Sequence, residues 1–274
     1  MPIEQPYPEF DEFMEVIGEA GVRISAIDAS EGAAGNLSIY VGWAIDPRRK
    51  FPIVEMIALP VPVPQLAGGT IIMSGSGRRL REIIHDPARN LGCVTISPDG
   101  MTGTLFTAPN KLFVQLSSEF NSHLAIHNDQ VEQTGTNFHS VVHAQPRHLT
   151  YLSHIPQYRD ESYLNRRLLR WQPELIVNLP EGIGMVPFQV PGSAALEEAT
   201  VASLRLHRIV VWCKHGVVAR SDLSIKRAAD RVEYAEAAAS YEYLDLVNHS
   251  AAEGLTPEEV RAICKAFDIK QEIF

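Results

Sequence analysis

Along the chain the apolar positions change period several times, and each change marks an element. Phe10, Phe13, Met14 and Ile17 stand at i, i+3, i+4 and i+7, the spacing that lines one side of a helix. Residues 8–20 are therefore expected to form an amphipathic helix capped by Gly21. Leu37, Ile39, Val41 and Trp43 then alternate with Ser38, Tyr40 and Gly42, the period of a half-buried strand. From 46 to 66, Pro47, Pro52, Pro60, Pro62 and Pro64 interrupt every period, and the stretch reads as an irregular surface excursion.

Beyond residue 69 strand-like and helix-like runs alternate at short spacing. TIIMS, CVTIS and GTLFTA read as strands, RRLREII and SSEFNSHLAIHNDQVEQ as helices, and HSVVHA as a strand ended by Pro146. SYLNRRLLRW, SAALEEATVASLRLH and the Ala-rich 222–247 read as helical, while ELIVNL and RIVVWC are apolar runs taken as strands. The last helix has Thr256 as N-cap, Pro257 at its first position and Glu259 at N3. CVTIS and GTLFT joined by PDG make a hairpin and not a βαβ unit, so the sheet is expected to be largely antiparallel. One mixed α/β domain over residues 1–274 is the economical reading.

Composition narrows the function classes. The 274 residues carry 24 Lys plus Arg against 33 Asp plus Glu, a formal charge of −9, which disfavours a polyanion such as nucleic acid. Cys93, Cys213 and Cys264 stand far apart with no CxxC pair, so neither a disulfide framework nor a zinc knuckle is indicated, and a cytoplasmic setting is expected. The start, MPIEQPYPEFDEF, lacks the basic and apolar regions of a secretion signal.

Three features can carry chemistry. The turn SGSG, followed by Arg78 and Arg79, is either an ordinary strand-to-helix turn or an anion site made of backbone N–H groups. Ser117-Ser118 and Gly35-Asn36 are further polar turns. Glu119, His123 and His127 recur every four residues and share a helix face, which is either a plain polar face or a metal-ligand spacing. His143 and Gln145 point to one side of a strand, and His215 ends an apolar run before Gly216.

The order of these blocks, GNLSIYV, IMSGSGRRLRE, SSEFNSHLAIH, VVHAQPRHLTYL, LPEGIGMVPFQVPGS and IVVWCKHGVVAR, resembles the class II aldolase and adducin-head family over most of the chain. The resemblance implies a three-layer αβα domain with a central, largely antiparallel sheet. It also implies a homotetrameric, divalent-metal lyase, usually zinc-dependent, that splits a ketose 1-phosphate such as rhamnulose 1-phosphate into dihydroxyacetone phosphate and an aldehyde through a metal-stabilised enediolate. Carried over, the metal ligands are His143, Gln145 and His215, the catalytic carboxylates Glu119 and Glu174, and the phosphate contacts Asn36, Ser76, Gly77, Ser117 and Ser118. The family's middle ligand is histidine, so Gln145 is a departure: it ligates weakly, His148 or another group substitutes, or the metal is lost. The resemblance further implies that Glu119 is desolvated until its pKa rises toward neutrality. Relatives with changed chemistry, a sugar-phosphate epimerase or a decarboxylase, and a non-catalytic adducin-head-like module are the alternatives.

Overall fold

Helix α1 (Phe10–Ala26) begins with the apolar stripe but runs past Gly21, which is helical and buried. A Cβ at Gly21 would lie 2.3 Å from the Leu80 carbonyl oxygen, so the glycine lets the Leu80 segment pack against the helix instead of ending it. A computed structural model of the chain describes residues 2–271 together with residue 273. After α1 come β1 (Asn36–Val41), β2 (Ile53–Ala58), β3 (Thr70–Ser74), α2 (Pro87–Asn90), β4 (Leu91–Ile96), β5 (Thr102–Thr107), α3 (Phe120–Thr134), β6 (Phe138–Ala144) and α4 (Arg147–Leu152). The second half holds α5 (Glu161–Leu168), α6 (Pro173–Asn178), β7 (Gly184–Val186), α7 (Ala194–Leu204), β8 (Ile209–Trp212), β9 (Gly216–Ser221), α8 (Ile225–Val247) and α9 (Pro257–Ala266).

The strands form one sheet in the order β2-β5-β4-β3-β1-β6-β9-β8-β7. Among these pairs only β7 with β8 is parallel. This is a single mixed α/β domain of the expected class. β1 lies in the middle and is buried along its whole length, because helices cover both faces, and it ends at Val41 before Trp43. The Pro-punctuated stretch contains an edge strand that its lack of period hid: β2 sits between Pro52 and Pro60 and pairs only with β5, a position where flanking prolines cost no ladder bonds.

Two other expectations change. ELIVNL is not a strand: Pro173 opens α6 over it, with Leu175 and Ile176 turned inward, and a run too short to show a period cannot tell the two apart. RRLREII makes no α-helix, only a single 3-10 turn at Leu80–Glu82. Among the described residues no helix is long and apolar enough to cross a membrane.

One face of the sheet carries a continuous core with Leu37, Ile39, Val142 and Ala219 beneath α1 and α8. The other face, beneath α3 and α7, carries two separate apolar clusters, one around Tyr40, Met73 and Leu124, the other around Val141, Trp212 and Ile126. The α8 side is tied by Glu242, fully buried, which accepts from Tyr158 Oη, from Arg167 Nε at 2.6 Å and from Trp171 Nε1 at 2.9 Å. Glu242→Ala leaves those donors without their anion, and removing one partner of a buried ion pair costs about 3–5 kcal/mol. Urea unfolding should show that loss, and a loss below about 1 kcal/mol would contradict the assigned role.

Candidate active site

Antiparallel pairing brings four chain segments to one end of the sheet. Asn36 opens β1 opposite His143 near the end of β6, and Val218 of β9 pairs with His143 on the other side, just past His215 in the β8–β9 turn. The turn after β3 joins them through an isolated bridge from Gly75 to Leu116 and a bond from Ser117 N to Ser74 O at 3.2 Å. Asn36, Ser76, Gly77, Ser117, Ser118, Glu119, His143, Gln145 and His215 all line one cleft of about 220 Å³, with Ala33 and Pro191 beside them. Every site residue carried over from the family resemblance is therefore in this cleft except Glu174, which is exposed in the first turn of α6 and outside it.

The centre of the cleft is the N-cap of α3. Glu119 accepts from Asn36 Nδ2 at 2.7 Å, and its two carboxylate oxygens stand 3.6 Å from His143 Nε2 and 3.6 Å from His215 Nε2. His143 Nδ1 donates to the Val217 carbonyl at 2.9 Å, which fixes a proton there, sets the ring orientation and turns Nε2 toward Glu119. The Trp212 indole packs on both imidazoles, at 4.8 and 5.1 Å between ring centres, and is itself held by Nε1 on Thr200 Oγ1 at 2.7 Å. Sequence reasoning passed over Trp212 because it stands in an apolar run.

Donor atoms of Glu119, His143 and His215 lie within 4.8 Å of one another. Ligands of a tetrahedral ion at about 2.1 Å stand about 3.4 Å apart, so the 3.6 Å separations suit a metal. The Asn36 Oδ1 and His215 Nδ1 atoms, buried without partners, add unspent polar capacity to the same place. The helical trio divides: Glu119 faces the cleft, while His123 and His127 bond to Ser38 inside the protein. His148 is also elsewhere, bonded to Glu236 at 2.7 Å and packed on Tyr243, so it does not stand in for the missing imidazole. Gln145 lines the cleft, with its backbone N–H on Ala29 O at 2.8 Å.

Two electrostatic expectations are corrected. Burial pushes the Glu119 carboxyl up, but His143, the Asn36 amide and His215 outweigh it and hold the group below its ordinary value; it is an ionised carboxylate, not one raised toward neutrality. The SGSG turn does not open an α-helix, and Arg78 and Arg79 are engaged with Leu112 O and Glu82. The turn itself offers an anion its hydroxyls and a Gly77 at φ +69°, the left-handed geometry of backbone nests.

A single domain built on one largely antiparallel sheet is the fold of the class II aldolases, and the chain belongs to the Class II Aldolase and Adducin N-terminal domain family, whose model matches residues 17–243. Within it, the chain is 27% identical over 243 residues to rhamnulose-1-phosphate aldolase of Bacteroides thetaiotaomicron, covering 88% of each. A sugar-phosphate aldolase structure from Thermotoga maritima superposes with a TM-score of 0.73 at 25% identity, covering 87% of this chain and 96% of that one. A Klebsiella pneumoniae protein described as aldolase, epimerase or decarboxylase without a choice among them shares the fold, with a TM-score of 0.64 at 18% identity, over 94% of this chain and 100% of its own.

The Asn36 contact generates a test. Its amide bonds to the charged form of Glu119, so Asn36→Ala removes a stabiliser of the anion and the Glu119 pKa should rise. Carbon-detected NMR titration of the carboxyl reads this directly, and an unchanged or lower midpoint would show that Asn36 does not hold the charge.

Proposed function

We propose that the chain is a divalent-metal-dependent aldolase-type lyase that cleaves a ketose 1-phosphate of the rhamnulose 1-phosphate kind into dihydroxyacetone phosphate and an aldehyde. The observation that carries this reading is the convergence of Glu119, His143 and His215 with the hydroxyl- and glycine-lined recess of Ser76, Gly77, Ser117 and Ser118 in one cleft. The name of the Bacteroides relative supports the substrate class.

In this reading His143, His215 and Gln145 hold the cation, with Glu119 beside them, and zinc is the first candidate. When bound, the cation supplies Lewis-acid stabilisation of negative charge on the ketose carbonyl oxygen. Ser117 and Ser118, with Ser76, Gly77 and Asn36, orient the phosphate and so fix the sugar's reacting carbons. As the carbon–carbon bond breaks, the hydroxyl that becomes the aldehyde gives up its proton and the electron pair stays on the dihydroxyacetone phosphate carbon. Glu119, buried and ionised at the start, takes up that proton and returns it to this carbon, ending ionised again. Trp212 keeps both imidazoles in place.

The test is release of dihydroxyacetone phosphate from rhamnulose 1-phosphate by protein stripped with a chelator and reloaded with zinc. Activity should require the metal, and Glu119→Gln should lower turnover by roughly two to four decades. A second reading, epimerase or decarboxylase, is favoured by Gln145 standing where the family has histidine; an isomerised sugar phosphate or released carbon dioxide, without aldehyde, would select it. Gln145→His provides the sharper discrimination, because imidazole is a better zinc ligand than an amide oxygen. The lyase reading expects tighter zinc and a faster retro-aldol rate. Tighter zinc with a slower natural reaction would mean that Gln145 tunes the site for different chemistry, and unchanged zinc affinity would remove Gln145 from the metal.

A further inference from the structure

Behind the cleft, a stripe of polar side chains runs between β1, β6 and α3, in the seam that separates the two apolar clusters of that face. Ser38 Oγ is 2.6 Å from His123 Nδ1 and 2.8 Å from His127 Nε2, and His127 Nδ1 is 2.8 Å from His139 Nδ1. All four side chains are buried, and the two terminal atoms, His123 Nε2 and His139 Nε2, have no partner. The near end is beside the site: His123 lies one helical turn past Glu119 and its N–H bonds the Glu119 carbonyl at 3.1 Å, and Ser38 is two residues along β1 from Asn36, on the same face.

We propose that Ser38, His123, His127 and His139 form a hydrogen-bonded relay held in one polarity, with its free N–H on His123 Nε2, and that the relay is a positioning device for Glu119.

Each neutral imidazole carries one N–H and the serine one O–H, so four protons serve three bonds and one is left over. If Ser38 accepts from both imidazoles, its own buried hydroxyl goes unbonded and His123 Nε2 stays bare, an arrangement that the Glu119 field disfavours. With Ser38 both donating and accepting, the spare proton sits at an end and two polarities remain. Either His123 gives to Ser38, Ser38 to His127 and His127 to His139, leaving the free N–H on His139, or all three bonds reverse and the free N–H is on His123. Converting one into the other moves all three bonded protons and also requires His139 Nε2 to lose its proton and His123 Nε2 to gain one, so the two polarities do not interchange by transfer within the chain alone. The imidazoles are neutral because burial opposes charging them: the His123 pKa is pushed down to about 3, and burial holds His127 and His139 well below their ordinary values.

The two ends lie in unlike fields. His139 feels the guanidinium charges of Arg220 and Arg231, which favour a bare lone pair there. His123 feels the Glu119 carboxylate, which favours an N–H. Both fields select the second polarity, and in a dry seam such bonds reinforce one another. The dipole so fixed points its positive end at the Glu119 side of the helix.

Long-range ¹⁵N–¹H spectra at neutral pH decide the point. Expected are Nε2–H tautomers for His123 and His127 and an Nδ1–H tautomer for His139. The reverse set, or an imidazolium among the three, would overturn the proposal. Ser38→Ala, a truncation that creates no clash, should scramble the His123 tautomer and, on the lyase reading on which this readout rests, lower kcat roughly tenfold with KM nearly unchanged. Ser38→Thr, which keeps the hydroxyl, should restore both. Wild-type kcat and tautomers in Ser38→Ala would overturn the relay. The expected tautomers in a protein that turns over no ketose 1-phosphate would support the relay and refute the lyase reading instead.

Discussion

The register between β1 and β6 is the constraint on which the site depends. It sets Asn36 opposite His143, Ser38 opposite Val141 and Tyr40 opposite His139, and the side-chain period of two places all six on the face under α3. A slip of β1 by one residue would turn Asn36 and Ser38 away from His143, into the core beneath α1 and α8. Burial of both faces makes such a slip costly, since Leu37 and Ile39 on the α1 side would go with it. The hydrophobic core thus stabilises the fold and also determines which polar atoms meet.

At the end of that register, charge is arranged so that each group needs its neighbours. Glu119 is almost fully buried yet held below its ordinary pKa, with the Asn36 amide donating to its carboxylate and His143 and His215 beside it. His215 is held below its ordinary pKa, by burial first and then by His143, with Glu119 opposing. An imidazole kept neutral beside a carboxylate kept charged is the protonation state in which both are lone-pair donors toward a cation. The Asn36 contact, the His143–Val217 bond and the Trp212 packing all act to preserve that state.

How much of this was legible in the sequence depended on whether a signal was local. The helix of 10–26, the hairpin around PDG and the capping box at Thr256 follow from neighbours in the chain, and they appear in the structure with boundaries moved by packing, as Gly21 against Leu80 shows. ELIVNL hid the helix α6 because six residues with only four apolar side chains are too short to show a period, and Pro173 before them was the signal that favoured the helix. The convergence of Asn36, Ser76, Ser117, His143 and His215 was legible only through the order of motifs, since each is a weak turn or strand end by itself. The i,i+4 spacing of Glu119, His123 and His127 was read correctly as one face of a helix. It could not reveal that the face straddles a boundary, with its first residue in the cleft and the other two inside.

The buried polar clusters around Glu242 and Glu119 differ in how far their acceptors are engaged. Around Glu242 the carboxylate takes a tyrosine, an arginine and a tryptophan as donors, and Asp245 takes up Arg170; both acceptors are engaged, as a structural tie requires. Around Glu119 the buried atoms Asn36 Oδ1 and His215 Nδ1 have no partner. Unpaired buried polar atoms each cost of order 1–3 kcal/mol, and a protein free to optimise stability alone would pair or remove them. The two beside Glu119 stand among hydroxyls and a left-handed glycine turn, where they are unspent binding capacity. The same register that makes the core secure holds that capacity open for a ligand.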